Sequence, residues 1–288
     1  MNNKNQILTV LNAIQLSTSY LEEKGIESPR MNAELLLAHV LQCKRLDLYL
    51  AFDRPLLEEE IVQLREFIAR RGKFEPLQYI LGEVEFYNLN FKVDKSVLIP
   101  RPETELLVDE AINLINEYNY TNILDVGTGS GNIPVSLAAN LNGVTITSID
   151  ISKEAIDTAV KNAEKNNVRD KINFIISDIA DYVPDQKFDV IVSNPPYVSS
   201  QEYQNLQKEI TAYEPRESVT DNDDGFKFYR NILSNNDRLL RSNGFVIFEI
   251  GQGQESTLYK LFEEHSFEHV KTIKDLQNID RIILGRIK

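Results

Sequence analysis

The N-terminal part of the chain carries apolar residues at helical spacing. Apolar side chains recur every three or four positions between Ile7 and Ile14, and the same spacing returns between Ala33 and Leu41. Ser28-Pro29 is a typical helix start, with proline in the first turn, and Asp53-Arg54-Pro55 precedes a third helical pattern. Because no strand pattern interrupts these helices, we predict a small helical bundle over residues 1–73.

Residues 74–100 follow a different pattern. The group Tyr79-Ile80-Leu81 and the alternating residues from Phe86 to Val93 are typical of strands, with Asn88 as a turn residue. We predict a hairpin here that links two domains. The prolines of Pro100-Arg101-Pro102-Glu103 then end any strand and lead into a helix.

Beyond residue 120, short apolar strands alternate with amphipathic helices. This order predicts parallel crossover connections and a doubly wound α/β sheet in a domain of residues 101–288. The last two strands are too close in sequence for a helical crossover, so we expect the sheet to end in an antiparallel hairpin. The predicted strands are Asn122–Val126, Thr145–Ile149, Ile172–Ile176, Phe188–Val192, Phe245–Ile250, Val270–Ile273 and Arg281–Leu284.

Composition narrows the class of protein. The 288 residues are 42% hydrophobic and carry 31 Lys+Arg against 44 Asp+Glu, and this net charge of −13 argues against binding by phosphate neutralisation. The lone Cys43 cannot form an intramolecular disulfide, and no Cys/His group has metal-ligand spacing, so we expect no metal site. Met1–Gln6 is polar, and no apolar run is long enough to span a membrane. We therefore expect a cytoplasmic protein without membrane contact.

A glycine-rich loop follows the first predicted strand of the sheet. Three glycines at alternate positions exceed what a tight turn requires, so we interpret the loop as a place where backbone approaches a ligand. A dinucleotide fingerprint would need glycine where Asn132 or Pro134 stands, and the sequence has no phosphate-binding P-loop. The loop residues are Asp125, Val126, Gly127, Thr128, Gly129, Ser130 and Gly131.

Acidic residues end the next two predicted strands. Asp150 is placed to accept hydrogen bonds from both hydroxyls of a ribose. After the third strand, Asp178 can accept from an adenine amino group and Ile179 can pack on the ring, although Asp178 alone fits a helix N-cap nearly as well. An adenosyl ligand without phosphates, such as S-adenosylmethionine, fits this set.

The fourth strand runs into Asn194-Pro195-Pro196-Tyr197. The prolines fix the backbone and lack N–H donors, so the Asn194 side-chain oxygen and the carbonyl that follows can both accept from one planar NH₂ group. Tyr197 offers a flat face to that group. This arrangement predicts transfer to a planar nitrogen by positioning and electrostatics, without a basic side chain.

The glycine loop and Asn194–Tyr197 together resemble amino methyltransferases of the Rossmann-like, S-adenosylmethionine-dependent class I. That pair is shared by DNA adenine, RNA guanine and protein glutamine methyltransferases. Further segments along nearly the whole chain resemble the PrmC/HemK family of peptide chain release factor glutamine methyltransferases. These segments are Arg30–His39, Glu75–Gly82, Leu98–Glu105, Tyr213–Arg216 and Glu249–Gln254.

The resemblance implies methylation of the glutamine side-chain amide in the Gly-Gly-Gln motif of bacterial class I release factors, with S-adenosylhomocysteine as product. It implies that Gly127–Gly131, Asp150, Ile179 and Asn194 contact the cofactor and that Asn194–Tyr197 hold the glutamine. It also implies that Pro100–Glu103 line the site and that the bundle docks the release factor. We expect a monomer. Two segments depart from the family pattern, namely the acidic Glu217–Gly225 and Asn278–Arg281, where a glycine is expected.

Three other functions fit these residues less well. A nucleic-acid methyltransferase acting on the exocyclic amine of adenine or guanine would use the same pocket but would need a cationic groove. Residues 1–90 have 10 Lys+Arg and 13 Asp+Glu, a balance of −3, which leaves −10 for the rest, so we expect no direct contact with nucleic acid. A binding adaptor would not need Asn194–Tyr197, and an NAD oxidoreductase is inconsistent with Asn132 and Pro134.

Overall fold

The computed structural model describes residues 8–288. The polar start Met1–Gln6 and Ile7, the first apolar position of the predicted helical pattern, lie outside this range. The chain divides into a helical unit, formed by residues up to 82 together with 208–213, and a sheet unit, formed by 83–207 and 214–288. The division falls at Gly82, and the roles predicted for residues 1–73 and 74–100 stay predictions.

The helical unit is built from amphipathic helices with local caps. Thr9 caps the first helix by accepting from the Asn12 N–H, and Pro29 is the first residue of the second, as the Ser28-Pro29 pattern predicted. The helices are α1 (Val10–Glu23), α2 (Pro29–Val40), α3 (Glu58–Arg71), α4 (Leu77–Leu81) and α9 (Lys208–Tyr213), with a 3₁₀ helix at Arg45–Leu50.

The prediction of a strand at Tyr79–Leu81 is wrong, because these residues belong to helix α4. Pro76 precedes this short helix, and Gly82 ends it with a left-handed φ of +77°. Proline at the start and glycine at the end define a single helical turn, whereas three apolar residues are too few to separate a helix from a strand.

A buried arginine fixes helix α9 within the helical unit. Arg71 is only 4% exposed. Its guanidinium donates to Asn32 Oδ1 at 2.7 Å and to Glu209 Oε1 of α9 at 2.5 Å. Tyr213 at the end of α9 donates to the carbonyl oxygen of Lys73 at 2.9 Å. A buried cation needs such partners, so a segment far along the sequence is part of this unit.

The sheet unit contains a two-stranded hairpin and a seven-stranded sheet of order β5-β4-β3-β6-β7-β9-β8. Its strands are β1 (Glu83–Phe86), β2 (Leu89–Lys92), β3 (Asn122–Val126), β4 (Thr145–Asp150), β5 (Ile172–Ile176), β6 (Phe188–Ser193), β7 (Leu240–Glu249), β8 (Phe267–Lys274) and β9 (Asp280–Ile287). Its helices are α5 (Thr104–Tyr118), α6 (Asn132–Asn140), α7 (Lys153–Lys165), α8 (Ser200–Tyr203), α10 (Lys227–Ser234), α11 (Asn236–Leu239) and α12 (Glu255–Glu264).

The predicted doubly wound sheet is confirmed. Strands β3 to β7 pair in parallel, and alternate residues of the central strands pack into two separate clusters, as Val190 and Ile191 show. The chain continues from β3 to β4 on one side, while β6 lies on the other side of β3. Ligands of such sheets bind at the carboxyl ends of the strands where this order reverses.

The C-terminal antiparallel hairpin is also confirmed. Strand β9 pairs antiparallel with both β7 and β8. In the turn between β8 and β9, Asn278 has a φ of +64°, so asparagine adopts the left-handed conformation where the family resemblance led us to expect glycine. No helix within residues 8–288 is both long enough and apolar enough to cross a membrane.

Candidate active site

A cavity of about 560 Å³ opens at the carboxyl ends of β3, β4 and β6, within the sheet unit. This volume falls in the usual range for a small-molecule site. Most of the residues predicted to bind cofactor or substrate line it, while Gly131 and Tyr197 do not. The predicted residues that line it are Gly127, Thr128, Gly129, Ser130, Asp150, Asp178, Ile179, Asn194, Pro195 and Pro196.

The backbone of the glycine loop is tied to the neighbouring strand. The N–H groups of Gly127 and Thr128 donate to the carbonyl oxygen of Ile149 at 2.9 and 3.2 Å. The expectation that the turn alone does not need three glycines is wrong, because all three have positive φ. At Gly131, with φ +80°, a β-carbon would also lie 3.0 Å from the β-carbon of Ala159, so this glycine lets α7 pack closely on the loop.

Asp150 is oriented by backbone donors. Its Oδ2 accepts from the Gly129 N–H and its Oδ1 from the Ser152 N–H, both at 2.9 Å. Burial raises the pKa of this carboxyl, while the backbone hydrogen bonds oppose that shift. Each carboxylate oxygen keeps a further lone pair. The carboxylate lines the cavity in a fixed orientation, and its contact with a ribose stays a prediction.

Asp125 at the end of β3 is fully buried and does not line the cavity. Its Oδ2 accepts from Ser148 Oγ at 2.7 Å and from Thr128 Oγ1, while its Oδ1 has no hydrogen-bond partner among the residues described. Burial raises the pKa of Asp125 to about 7. The Asp125 carboxyl therefore supports the glycine loop through its hydrogen bond with Thr128 and does not face the cavity.

Asp178 and Ile179 lie beside the cavity in a turn after β5. The Asp178 carboxylate accepts from the Ala180 N–H at 2.8 Å. This is a local bond of the kind expected of a helix N-cap, although a turn rather than a helix follows. Ile179 is buried in the same apolar cluster as Ile191 of β6, and it presents an apolar surface to the cavity. The adenine contacts of both residues stay predictions.

Asn194 follows β6 and is held from one side. Its Nδ2 donates to Thr104 Oγ1 at 3.1 Å, and the Thr104 hydroxyl donates to Glu249 Oε2 at 2.6 Å. Glu249 is 2% exposed, and burial raises its pKa to about 7. With Nδ2 engaged, the carbonyl oxygen Oδ1 is the part of the Asn194 side chain that can accept from a ligand.

Both the main chain and the ring of Tyr197 are held by neighbouring residues. Gln254 Nε2 donates to the Tyr197 carbonyl oxygen at 3.0 Å, and a β-carbon at Gly225 would lie 2.6 Å from that oxygen. The ring packs against the core cluster below the sheet, and burial raises the pKa of its hydroxyl well above the usual value. The predicted stacking of this ring on a substrate stays a prediction.

Sequence reasoning missed the side chains that support this site. Thr104 and Glu249 lie in segments quoted for the family resemblance, but nothing in their spacing indicated that they meet. Glu214 is likewise buried and accepts from Arg101 Nη2 at 2.6 Å and from the Ile99 N–H at 3.3 Å. It thereby holds the segment that carries the cavity residues Pro100 and Arg101.

The acidic segment Glu217–Gly225 has a structural role at its C-terminal half. Buried Asp221 accepts from the N–H groups of Gly225 and Lys227 at 2.8 and 3.1 Å. Asp224 forms two hydrogen bonds with the Arg230 guanidinium at 2.8 and 2.9 Å. These carboxylates therefore shape the turn that leads into α10. Within residues 8–288, no group of three or more His, Cys, Asp or Glu residues is arranged to hold a metal ion.

Two solved structures that resemble this chain identify its fold class. The catalytic domain of hMettl16 matches 80% of this chain and 82% of its own with a TM-score of 0.55 at 17% identity. A methyltransferase from Pyrococcus furiosus matches 69% of this chain and 88% of its own with a TM-score of 0.50 at 18% identity. Residues 103–216 match the family described as methyltransferase small domain. The sheet unit therefore has the class I methyltransferase fold.

Relatives define the family within that class. Residues 12–82 match the PrmC N-terminal domain. The release factor glutamine methyltransferase of Geobacter sulfurreducens is 39% identical over 287 residues, which is 100% of both chains. That of Fusobacterium nucleatum is 38% identical over 96% of this chain and 78% of its own. The chain belongs to the release factor glutamine methyltransferase family, and it is an enzyme that uses a methyl donor of the S-adenosylmethionine type.

Proposed function

We propose that this enzyme transfers a methyl group from S-adenosylmethionine to the side-chain amide nitrogen of the glutamine in the Gly-Gly-Gln motif of bacterial class I release factors. The observation that carries the proposal is the orientation of Asn194, whose Nδ2 is bound to Thr104 at 3.1 Å at the edge of the cavity. Its oxygen is thereby left to accept from an NH₂ group. A primary amide is the planar NH₂ group that proteins carry on glutamine and asparagine.

The residues around the cavity suit the proposed donor. Asp150 is held by backbone N–H groups with lone pairs left for ribose hydroxyls, and Ile179 offers an apolar surface for an adenine ring. When bound, the donor supplies an electrophilic methyl group on a sulfonium. We assign cofactor contacts to Gly127–Ser130, Asp150, Asp178, Ile179 and Asn194, and place Gly131 behind the loop as the residue that permits its approach to α7.

The acceptor is held by the segment after β6. In the proposed complex, Asn194 Oδ1 and the carbonyl that follows accept both hydrogens of the amide nitrogen. These two bonds increase electron density on a weakly nucleophilic nitrogen and aim its lone pair at the donor. The proton lost on methylation leaves after the transfer, when the nitrogen has become acidic, so the step needs no basic side chain. Pro195, Pro196 and Tyr197 keep this segment rigid.

We further propose that the helical unit docks the release factor and that the enzyme acts as a cytoplasmic monomer. The match of residues 12–82 to the PrmC N-terminal domain supports a family-specific role for this unit. The second candidate acceptor, an exocyclic amine of adenine or guanine, has the same planar NH₂ group. The charge of −10 beyond residue 90 makes binding of a polyanion there unfavourable.

A methyl-transfer assay tests the proposal. Labelled methyl from S-adenosylmethionine is offered to a purified release factor, to the same factor with its Gly-Gly-Gln glutamine changed to alanine, and to DNA and RNA. We expect label only in the unchanged release factor, and its loss by at least roughly 100-fold in the enzyme variant Asn194→Ala. Label in the Gln→Ala factor or preferential labelling of nucleic acid would contradict the proposed substrate.

A further inference from the structure

We propose that Thr104 and Glu249 are positioning residues that determine which end of the Asn194 amide faces the acceptor. The inference rests on the proposed function, in which Asn194 Oδ1 accepts from the substrate NH₂. Neither Thr104 nor Glu249 touches the acceptor in this scheme. They act on it only through the orientation of Asn194.

An asparagine amide is nearly symmetric in shape but opposite in hydrogen-bonding character at its two ends. A rotation by 180° about its last torsion exchanges a carbonyl acceptor for an NH₂ donor in almost the same volume. If Asn194 turned its NH₂ toward the cavity, it would present donors to the donors of the substrate amide. The site therefore needs a feature that distinguishes the two ends.

The chain of hydrogen bonds from Asn194 to Glu249 supplies that feature. An ionised carboxylate can only accept, so the single hydroxyl hydrogen of Thr104 points to Glu249 Oε2, at 2.6 Å. The Thr104 oxygen can then only accept, and it does so from Asn194 Nδ2 at 3.1 Å. The acceptor-only character of a carboxylate is thus transmitted through one hydroxyl to the amide.

These hydrogen bonds from Asn194 to Glu249 are shielded from water, so reversing their direction is costly. Thr104 is 1% exposed and Glu249 2% exposed. Turning Asn194 over would place its carbonyl oxygen against the hydroxyl oxygen of Thr104 with no hydrogen between them. A buried acceptor left without a donor is unfavourable by about 1–3 kcal/mol.

The charged state of Glu249 matters because a protonated carboxyl can donate. A protonated Glu249 can give its hydrogen to Thr104, which frees the Thr104 hydroxyl to donate to Asn194 Oδ1 and reverses the direction. Around Glu249, burial and Glu103 favour the protonated form, whereas the hydrogen bond from Thr104, the positive charge of Arg281 and the nearby Asn194 amide favour the ionised form. The other ionisable groups that face Glu249 are the hydroxyls of Tyr197 and Tyr229. The Tyr229 hydroxyl donates to the main-chain carbonyl oxygen of Glu249 at 2.8 Å.

Steady-state kinetics of full-length variants test the inference. Thr104→Val replaces the hydroxyl by a methyl group of similar size, and we expect kcat for methylation of the release factor to fall roughly tenfold or more. The Kd for S-adenosylmethionine should stay within about twofold of wild type. Thr104→Ser restores the hydroxyl and should recover most of the lost kcat. Thr147→Val on β4 is the matched control, because this buried threonine does not line the cavity, and it should keep the wild-type kcat.

Two results would overturn the inference. One is a wild-type kcat in Thr104→Val. The other is a fall in kcat that Thr104→Ser does not recover or that Thr147→Val reproduces, since either would mean a general loss of packing. The pH profile adds a second criterion. The wild-type kcat should decline below about pH 7 as Glu249 becomes protonated, and an equal acidic decline in Glu249→Gln would contradict the assignment.

A readout without catalysis separates this inference from the proposed function. In the enzyme labelled with ¹⁵N-asparagine, the side-chain NH₂ signals of Asn194 are assigned by their loss in Asn194→Asp. We expect slow hydrogen exchange of one Nδ2 hydrogen in wild type and in Thr104→Ser, and at least tenfold faster exchange in Thr104→Val. Equal exchange in all three would refute the positioning role, even if the release factor is methylated. If the release factor is not methylated, the proposed substrate fails and the exchange rates alone decide the inference.

Discussion

Replacement of Gly131 by alanine tests how the glycine loop packs on the sheet unit. Gly131 has a φ of +80°, a region that an L-residue enters at a cost of about 1–2 kcal/mol. The added β-carbon would also lie 3.0 Å from Cβ and 3.1 Å from Cα of Ala159, and such overpacking typically costs about 1–3 kcal/mol. We expect Gly131→Ala to lower the free energy of unfolding by about 2–5 kcal/mol.

Two further variants separate these contributions. Gly129→Ala introduces the same side chain at a φ of +52° with no atom within 4 Å, so it should cost only about 1–2 kcal/mol. Ala159→Gly alone should cost about 1 kcal/mol, because it weakens helix α7. In the double variant Gly131→Ala/Ala159→Gly, removal of the opposing β-carbon should return about 1–2 kcal/mol relative to the sum of the single changes.

The measurement is urea unfolding followed by far-UV circular dichroism, since the chain contains no tryptophan to report by fluorescence. Calorimetric titration with S-adenosylmethionine then shows whether the loop still binds. A coupling between the two sites below about 0.5 kcal/mol would refute the close-packing explanation. A loss in Gly129→Ala as large as that in Gly131→Ala would do the same.

Three shorter predictions concern the cofactor, pH and the helical unit. Asp150→Asn should weaken S-adenosylmethionine binding roughly 10- to 100-fold by calorimetry without a comparable effect on release factor binding; unchanged affinity would exclude the ribose contact. Burial raises the pKa of Asp125 from 3.8 to about 7. Between these pH values the folded chain keeps a proton that the unfolded chain loses, so the free energy of unfolding falls as the pH rises. Urea unfolding should show this group costing about 3 kcal/mol between pH 5 and pH 8. Asp125→Asn removes this part of the pH dependence and leaves the part due to Glu249, so equal slopes in the two proteins would contradict the assignment. Removal of residues 1–73 should lower kcat/KM for the intact release factor, and an undiminished value would argue against docking by the helical unit.

Local patterns were sufficient to predict most of the sheet unit. Strand β6 carries the apolar run Val190–Val192 and is buried along its whole length, as expected where both faces of a parallel sheet are covered. The short spacing of the last two strands requires an antiparallel pair. Likewise the glycine loop and Asn194 could be placed at one edge, since carboxyl ends of parallel strands coincide.

Other features depend on contacts between residues distant in sequence. Thr104 and Glu249 are 145 positions apart, and only the folded sheet brings the start of α5 to the end of β7. The same reason hid Glu209, which pairs with Arg71 across 138 positions. The strand prediction at Tyr79–Leu81 failed for a local reason, because three consecutive apolar residues have no measurable period.

The separation of α9 from the rest of the helical unit affects the order in which the protein forms during synthesis. Residues up to Gly82 leave the ribosome early, but Arg71 has to wait for Glu209 before its buried guanidinium is paired. Roughly 130 residues are made in that interval, which at about 5–20 residues per second takes roughly 6 to 26 seconds. During this time the Arg71 guanidinium lacks its carboxylate partner. Slower translation between positions 82 and 213 would therefore prolong the exposure of these helices to chaperones and proteases.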